Sequence, residues 1–380
     1  MMSKLRRFNL FIFVTVIVVA SSGALLLQLT NGDKKLSDLT LRKLADKNNI
    51  LVGAAVNYSK LSRDSTYRSL LANEYNALTI ENDIKFSRVH PIIGTYDYTK
   101  ADAIVNYAIN NDLKIRGHTL VWHTSNPDWL QNGNFTKDEM IQILRDHITN
   151  VVGRYKGKIF AWDVVNEAFN EDGTYRDSIW LKSIGKEYIP LAFQFAHEAD
   201  PNALLFYNDY SNEGINPKSN AIYNLVRELK GKGTPIHGIG FQMHFSVNSD
   251  INYKKIEENM RRLKKAGMIV HFTEVDVKVT DLNKLPIQLT EQAVKYGELF
   301  NICLNSNGIC KAFIIWGLTD KYSSSASAMP LIFDKYYKPK QSYLAIKNQL
   351  INKSSSIIKY GLTKNSVYMK KNGMDLVNGS

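Results

Sequence analysis

The sequence contains little cysteine and little proline. The first scarcity excludes a small disulfide-rich domain, and the second argues against a proline-rich linker. Two cysteines and nine prolines occur among 380 residues. Two cysteines are too few for the dense disulfide frameworks of small secreted domains, and no cysteine or histidine partners lie at the spacing typical of zinc sites. No proline- or serine-rich linker divides the middle of the chain. We therefore expect one large folded domain with no metal site and no cofactor.

Acidic residues are outnumbered by basic ones, which raises the question of a nucleic-acid partner. The chain carries 48 Lys and Arg against 36 Asp and Glu, a formal net charge of +12. The basic residues cluster only in short pieces, at residues 4–7, 261–265 and 370–371. The middle piece lies on a helical pattern and is typical of a solvated helix face. Because no nucleic-acid-binding motif accompanies these pieces, we expect no nucleic-acid partner.

The first 30 residues form a separate unit with the features of a targeting segment. Lys4, Arg6 and Arg7 precede an apolar run over residues 8–29. This order is typical of a secretory signal peptide, and the run is also about long enough to span a bilayer as an anchor. Because positive flanks stay on the cytoplasmic side, both interpretations place the rest of the chain outside the cytoplasm. The sequence predicts a secreted protein or, alternatively, a membrane-tethered one.

The two cysteines stand close together, just before a strand-like run. Cys303 and Cys310 are separated by six residues. In an exported chain a local disulfide is the favoured interpretation, and a pair of buried free thiols is the alternative.

Short runs of β-branched and aromatic residues alternate with helical patterns along the body of the chain. The eight candidate strands are residues 50–56, 77–80, 114–122, 159–167, 204–210, 238–244, 269–277 and 311–317. This alternation predicts a parallel sheet, and eight strands suffice to close a (β/α)8 TIM barrel. An open, doubly wound sheet is the alternative. We expect the barrel to span residues 33–351 and a polar, weakly ordered tail to follow over residues 352–380.

Seven of these candidate strands end in polar or aromatic side chains. The end residues are Glu81, Asn82 and Lys85, then His118 and Trp122, Asn166 and Glu167, Asp209 and Tyr210, Gln242 and His244, Glu274 and Asp276, and Trp316. Catalytic residues of barrel enzymes cluster at the C-terminal ends of strands, and buried charges are costly unless they are paired. Their joint placement therefore predicts an active site at this end of the barrel.

Two of these carboxylates suit the cleavage of glycosidic bonds. Glu167 ends the fourth candidate strand, and Glu274 lies near the end of the seventh. These two strands face each other across a barrel mouth. If two carboxyl groups lie about 5.5 Å apart, one attacks the anomeric carbon while the other protonates the leaving oxygen. The protonating group must keep its proton near neutral pH.

A rival interpretation pairs Glu81 with Asp209 or Asp276 as a metal site or an acid/base site. Lys85 and His118, which are expected near Glu81, favour a hydrogen-bonded binding network instead.

Six motifs together resemble glycoside hydrolase family 10, the endo-β-1,4-xylanases. They are residues 116–123 (RGHTLVWH), 162–167 (WDVVNE), 208–210 (NDY), 238–244 (GIGFQMH), 273–276 (TEVD) and 316–320 (WGLTD). They occur in the family's order, and the resemblance runs from about residue 36 to residue 350. One such motif could arise by chance, whereas six in register could not plausibly do so.

The resemblance implies a role for each strand-end residue. Glu167 would be the acid/base and Glu274 the nucleophile of a retaining reaction that passes through a covalent glycosyl-enzyme. The supporting residues would be Asn166, which bonds the sugar 2-hydroxyl, His244, which holds Glu274, and Asp276, which orients His244. The substrate-binding residues would be Glu81, Asn82 and Lys85 on the glycone side, His118 and Trp122 around the −1 sugar, Gln242 and Trp316 in the cleft, and Tyr210 on the aglycone side. The pair Cys303 and Cys310 resembles a disulfide of secreted members.

The chain departs from the family's pattern at two serines. Ser125 stands where the family usually has glutamine, and Ser324 stands where it usually has a second tryptophan. An indole in a sugar cleft offers a large apolar face, so its absence at Ser324 opens the cleft and removes stacking area.

The resemblance implies that the chain cuts internal β-1,4-xylosidic bonds of xylan, and we expect a monomer. One alternative is a barrel hydrolase of another β-1,4-glycan, such as cellulose or mixed-linkage glucan, because the missing indole would admit a sugar with a hydroxymethyl group. Another alternative is a weakly active xylan-binding protein. The intact carboxylate pair, with His244 and Asp276 beside it, argues against a pure binder.

Overall fold

The computed structural model describes residues 36–371, with side chains described as far as residue 356. The predicted targeting segment at residues 1–30 lies outside the described residues, as do the last nine residues of the predicted tail. Within the described part of the chain, no helix combines the length and the apolar character needed to cross a bilayer.

The described strands form one closed parallel sheet. They are β1 (Leu51–Val56), β2 (Ala77–Ile80), β3 (Lys114–Trp122), β4 (Ala161–Asn166), β5 (Leu204–Asp209), β6 (Gly238–Phe241), β7 (His244–Ser246), β8 (Ile269–Lys278) and β9 (Cys310–Ile315). Neighbours pair in parallel from β1 to β6, β6 then pairs with β8, and β8 with β9. Because β9 also pairs with β1, the eight long strands close into a barrel. The predicted (β/α)8 barrel is confirmed, and the open sheet is excluded.

Helices connect the strands around the outside of this barrel. They are α1 (Leu41–Lys47), α2 (Tyr58–Arg63), α3 (Ser65–Glu74), α4 (Phe86–Val89), α5 (Thr99–Asn110), α6 (Asp128–Gln131), α7 (Lys137–Arg154), α8 (Ile179–Ile184), α9 (Tyr188–Ala199), α10 (Pro217–Gly231), α11 (Tyr253–Lys265), α12 (Leu285–Leu304) and α13 (Gln341–Lys371). Short 3₁₀ turns lie at Leu282–Lys284, Asp320–Tyr322 and Ala326–Ala328.

The strands are buried on both faces because helices cover the outside and side chains fill the inside. Every residue of β2, β4 and β6 is buried, as expected for a parallel sheet with both faces covered. Local signals set the helix ends. Thr136 and Glu139 form a capping box at the start of α7, and Asn216 caps α10, which has Pro217 in its first turn.

The sixth predicted strand, residues 238–244, is interrupted. Met243 has a φ of 63°, in the left-handed region, so β6 ends at Phe241 and the short β7 resumes at His244. β7 pairs with the far end of β8, opposite residues 276–278. The break changes the direction of the chain, so that His244 lies next to β8.

The boundary predicted between the barrel and a tail, at residues 351 and 352, falls inside α13. The Asn48 side-chain amide donates to the carbonyl of Leu350 at 3.2 Å and to Ser354 Oγ at 2.8 Å, and Ser354 is buried. The part packed on the barrel therefore reaches at least Ser354. Its inward contact there is polar, which explains why no apolar period marked it. The weak order expected for the remaining tail stays a prediction.

The two cysteines are joined. Cys303, near the end of α12, forms a disulfide with Cys310, the first residue of β9. Both residues are buried. The bond links the last helix before β9 to the strand that closes the barrel.

Candidate active site

The candidate residues gather at one end of the barrel because all eight long strands are parallel. Glu167 directly follows β4, whereas Glu274 lies within β8. Glu167 has a φ of 54°, an uncommon conformation for a residue other than glycine. Both side chains are almost fully buried at the mouth of the barrel. Two carboxylates taken from water in this way need specific partners.

Glu167 has three hydrogen-bond donors for its two oxygens. Trp122 Nε1 donates to Oε2 at 2.9 Å. The side-chain amides of Asn166 and Gln242 donate to Oε1 at 3.1 Å and 3.0 Å. His123 Nδ1 lies 3.8 Å from Oε2. These contacts hold both oxygens from the β3, β4 and β6 sides and fix the orientation of the carboxyl plane.

Glu274 has a different set of partners, and they favour its ionised form. Asn208 Nδ2 donates to Oε1 at 2.8 Å, and His244 Nε2 lies 3.3 Å from Oε2. Burial alone would raise the pKa of Glu274. The neighbouring imidazoles of His118 and His244 outweigh burial and lower that pKa below its ordinary value. Glu274 is therefore an anion suited to act as a nucleophile.

A chain of side-chain amides connects the two carboxylates. Asn208 Nδ2 lies 2.8 Å from both Glu274 Oε1 and Asn166 Oδ1. Asn166 in turn donates to Glu167 Oε1. Thr273 Oγ1 donates to Asn208 Oδ1 at 2.7 Å and so fixes the Asn208 rotamer. The two carboxylates are thus oriented relative to each other through two amides.

This amide chain needs a glycine on the neighbouring strand. A Cβ atom at Gly240 would come within 2.1 Å of Asn208 Oδ1, so a larger residue there would displace the Asn208 side chain. The glycine in the middle of β6 therefore leaves the space that Asn208 occupies.

His118 ties the mouth of the barrel to a buried ion pair in its interior. Its Nδ1 lies 3.0 Å from Asp163 Oδ2 and 3.8 Å from Glu274 Oε1. Asp163 forms a fully buried ion pair with Arg116 at 2.6 Å. Burial would raise the pKa of Asp163, but Arg116 and His118 hold it below its ordinary value. Arg116 Nε also donates to His271 Nδ1 at 3.2 Å, so His271 joins the same group of buried polar side chains.

His244 bridges two carboxylates on β8. Its Nε2 faces Glu274, and its Nδ1 lies 3.1 Å from Asp276 Oδ2. Burial lowers the pKa of His244, but Asp276 and Glu274 outweigh burial and raise the pKa to about 10. The imidazole is therefore charged at neutral pH, and its position between two anions accounts for this.

Glu81, Asn82 and Lys85 form one hydrogen-bonded group after β2. Asn82 Nδ2 donates to Glu81 Oε1 at 2.9 Å, and Lys85 Nζ donates to Asn82 Oδ1 at 2.8 Å. Lys85 Nζ also lies 4.8 Å from the centre of the Trp122 ring. Burial raises the pKa of Glu81 and lowers that of Lys85. The structure brings Glu81 together with Asn82 and Lys85 and not with Asp209 or Asp276, which have Lys218 and His244 as partners.

A cavity of about 220 Å³ opens beside this group, and Ser324 lines it together with Glu81 and Trp316. The Trp316 ring meets His118 edge to face, with centroids 5.3 Å apart. The missing second indole therefore leaves open space next to predicted substrate-binding residues. Ser125 lies on the other side, where it lines a smaller cleft with Lys85 and Trp122.

Tyr210 directly follows β5, and two cations lie over its ring. Lys218 Nζ lies 3.5 Å from the ring centroid, and Arg176 Nη2 donates to the Tyr210 hydroxyl at 2.7 Å. These cations hold the ring in place beside the turn that carries Glu167.

Sequence reasoning missed several residues of this site. Asn208, Arg116 and Asp163 stood in quoted motifs, but none of them was given a role. Their contacts join residues between 42 and 155 positions apart, so no local pattern predicts them. Within the described residues, no group of three or more His, Cys, Asp or Glu side chains is arranged to hold a metal ion.

A closed parallel barrel with two oriented carboxylates at the C-terminal ends of its strands defines the class of barrel glycoside hydrolases. The model of glycosyl hydrolase family 10 matches residues 40–349. The chain belongs to this family, as the six motifs indicated, and it is a glycoside hydrolase.

Relatives named as xylanases cover most of the chain. Endo-1,4-beta-xylanase B of Thermotoga neapolitana is 41% identical over 83% of this chain and 93% of its own length. Beta-1,4-xylanase of Dictyoglomus thermophilum is 37% identical over 90% and 98%. Among solved structures, xylanase 10B of Thermotoga maritima is 44% identical, with a TM-score of 0.81 over 84% of this chain and 100% of that one. Xylanase 10B of Thermotoga petrophila RKU-1, solved with xylobiose, is 43% identical, with a TM-score of 0.80 over 83% and 98%.

The raised pKa of His244 predicts a specific pH dependence of stability. A histidine whose pKa is higher when folded contributes its full stabilisation below the unfolded value, near 6.5, and loses it as the pH rises through the folded value, about 10. We expect His244→Gln to lower the free energy of unfolding most near pH 6 and progressively less towards pH 10. Urea unfolding of both proteins at pH 6, 8 and 9.5 measures this difference. A difference that is constant over this range would contradict the charged state assigned to His244.

Proposed function

We propose that the chain hydrolyses internal β-1,4-xylosidic bonds of xylan with retention of anomeric configuration. The observation that carries the proposal is the pair formed by Glu167 and Glu274. The two carboxylates are connected through Asn166 and Asn208 but have different partners. Two carboxyl groups with different environments are what a two-step displacement needs.

In the first step Glu274 attacks the anomeric carbon and the glycosidic bond breaks. The lowered pKa of Glu274 keeps its carboxylate ionised for this attack. Glu167 gives its proton to the departing oxygen, so the aglycone leaves as an alcohol. In the second step Glu167 takes a proton from water, and the resulting hydroxide equivalent displaces Glu274 from the sugar. The enzyme returns to its starting protonation state.

The remaining residues position the sugar in this scheme. Asn166, held by Asn208 at 2.8 Å, directs its amide towards the 2-hydroxyl next to the reacting carbon. The group of Glu81, Asn82 and Lys85 offers hydroxyl-binding atoms on the glycone side. His118 and Trp122 surround the reacting sugar, and Gln242 and Trp316 complete the cleft. Tyr210 stacks on the aglycone sugar.

Xylan is supported as the substrate by relatives whose names state xylanase activity and by a structural neighbour solved with xylobiose. A second candidate, another β-1,4-glycan, is favoured by one observation. The cavity lined by Ser324 next to Glu81 and Trp316 has room for a hydroxymethyl group. Parallel product assays on unsubstituted xylan, carboxymethyl cellulose and mixed-linkage glucan separate the two, and turnover of xylan alone supports the proposal.

The proposal includes export of the catalytic domain, secreted or held by a membrane tether. The basic and apolar segment at residues 1–30 supports it, and the disulfide between Cys303 and Cys310 suits an oxidising compartment. Assay of the culture medium, membrane and cytosol separates the alternatives. Activity confined to the cytosol would overturn the proposal of export.

Removing the nucleophile tests the two-step chemistry. We expect Glu274→Ala to lose turnover of every glycoside, because no glycosyl-enzyme can form. With an activated β-xylobioside and added azide, the variant should yield the α-glycosyl azide, since the anion attacks from the space that Glu274 vacates. Proton NMR of the product identifies the anomer. Full activity of the variant without azide would contradict the assignment of Glu274 as the nucleophile.

Removing the acid tests the role of Glu167. We expect Glu167→Ala to lose at least a hundredfold in kcat/KM on xylan and much less on an aryl xylobioside with a good leaving group, which departs without protonation. Deglycosylation should then limit kcat, because the base is missing as well. Steady-state kinetics with both substrates measure the contrast. Equal losses of kcat/KM on both substrates would contradict the role of Glu167 as the acid/base.

Restoring an indole tests the contribution of the open cavity. We expect Ser324→Trp to lower KM for xylotriose by roughly fivefold, about 1 kcal/mol, because a ring in this cavity can stack on a sugar face. The value of kcat should change less if the ring contacts ground and transition states equally. Ser327→Trp is the matched control, since Ser327 is exposed in the same loop and does not line the cavity. An unchanged or higher KM in Ser324→Trp would show that this position does not reach the sugar.

A further inference from the structure

A second set of buried charges lies behind the turn that carries Glu167. Asp209 and Lys218 have fully buried side chains, and Lys218 Nζ lies 2.8 Å from Asp209 Oδ1. Asp209 ends β5, and Lys218 is the second residue of α10. The catalytic scheme above gives neither residue a step.

The backbone groups of residues 167–169 are held by contacts from three residues. The amide of Glu167 donates to the carbonyl of Asn208 at 2.9 Å, and the Glu167 carbonyl accepts from Arg176 Nε at 3.0 Å. The amide of Ala168 donates to the Tyr207 hydroxyl at 2.9 Å, and its carbonyl accepts from the Arg176 amide. The Phe169 carbonyl accepts from Arg176 Nη2 at 3.2 Å. Arg176 and Tyr207 thus hold most of a turn whose first residue has a left-handed φ.

The buried ion pair holds these two residues in turn. The Tyr207 hydroxyl donates to Asp209 Oδ2 at 2.6 Å, which leaves its lone pair for the amide of Ala168. Lys218 Nζ lies against the Tyr210 ring at 3.5 Å. The Tyr210 hydroxyl accepts from Arg176 at 2.7 Å. Two series of contacts therefore lead to the backbone of residues 167–169. One runs from Asp209 through Tyr207, and the other runs from Lys218 through Tyr210 and Arg176.

Stability alone is a poor explanation for this ion pair. Burial raises the pKa of Asp209 to about 7, against the lowering effects of Lys218 and Tyr207. The cost of burying this charge is therefore not fully offset by its partners. Buried ion pairs are often no better for stability than apolar side chains of similar volume, so the pair has to be explained by what it holds in place.

We propose that Asp209 and Lys218 are positioning residues for the acid/base, acting through Tyr207 and through Tyr210 with Arg176 on the backbone turn that aims Glu167 at the leaving oxygen. The proposal deepens the proposed function and rests on Glu167 as its acid. It also connects Glu167 with Tyr210, the ring on the aglycone side. Glu167 protonates the leaving sugar and Tyr210 stacks on it, and the ion pair of Asp209 and Lys218 positions both.

The test compares substrates that need the acid with substrates that do not. Tyr207→Phe removes only the hydroxyl between Asp209 and the Ala168 amide and keeps the ring. We expect its kcat/KM for a phenyl xylobioside, which needs protonation, to fall on the order of tenfold more than for the dinitrophenyl xylobioside. Asp209→Asn should shift the same ratio in the same direction, with its fold verified by circular dichroism.

Tyr155→Phe is the matched control. Tyr155 is a buried tyrosine whose hydroxyl bonds a carboxylate, Asp102, on the outside of the barrel at 2.9 Å. A merely structural loss lowers kcat/KM on both aryl substrates equally, so the control should leave their ratio unchanged. An unchanged ratio in Tyr207→Phe would overturn the positioning role.

The same ratios measured on aryl cellobiosides keep this inference separate from the choice of substrate. Turnover of cellobiosides alone would overturn the proposed action on xylan, whereas a shifted ratio in Tyr207→Phe would still support the positioning role. An unshifted ratio with xylobiosides as good substrates would overturn the positioning role alone.

Discussion

The burial of the Glu274 carboxylate is the constraint on which the rest of the site depends. An anion almost excluded from water is stable only beside hydrogen-bond donors and opposite charge. Asn208, His118 and His244 supply these partners, and each needs partners of its own. Asp163 holds His118 and is neutralised by Arg116 inside the barrel. Asp276 holds His244. The buried polar side chains around Glu274 follow from this one charge.

The barrel could be predicted from the sequence, and the family resemblance implied that His244 lies beside Glu274, but Asn208 could not be predicted as a partner. Each strand is a short local run, and its polar end residue stands next to it, so pattern and motif together locate Glu167 and Glu274. Asn208 is different, because its importance arises from a contact with Glu274, 66 residues away, that exists only once β5 and β8 lie in the same barrel. Gly240 is informative for the same reason, since it matters only because Asn208 fills the space above it.

Local patterns also failed where backbone geometry departs from regular structure. Met243 lies in the candidate strand at residues 238–244, yet its left-handed φ stands at the break between β6 and β7. Beyond the predicted boundary at residues 351 and 352, Ser354 packs on Asn48 through a hydrogen bond. Hydrophobic periodicity indicates which residues are buried by apolar contacts. It therefore predicts neither a polar contact nor a turn that changes the direction of a side chain.

The site therefore divides into a part fixed by the barrel and a rim that can change. The carboxylates and their partners are on strands or directly after them, where a shift of one residue would propagate into several buried charges. The segment after β9 is anchored where buried Asp320 pairs with Lys340 at 3.0 Å and where Lys321 and Tyr322 donate to Asp64 at 3.0 Å and 2.8 Å. Lys340 also donates to the carbonyls of Met329 and Leu331. Ser324 lies in the loop between these anchors and is exposed. A change there alters the walls of the cleft without disturbing the charges, and for this reason an altered sugar-binding rim is compatible with an intact carboxylate pair.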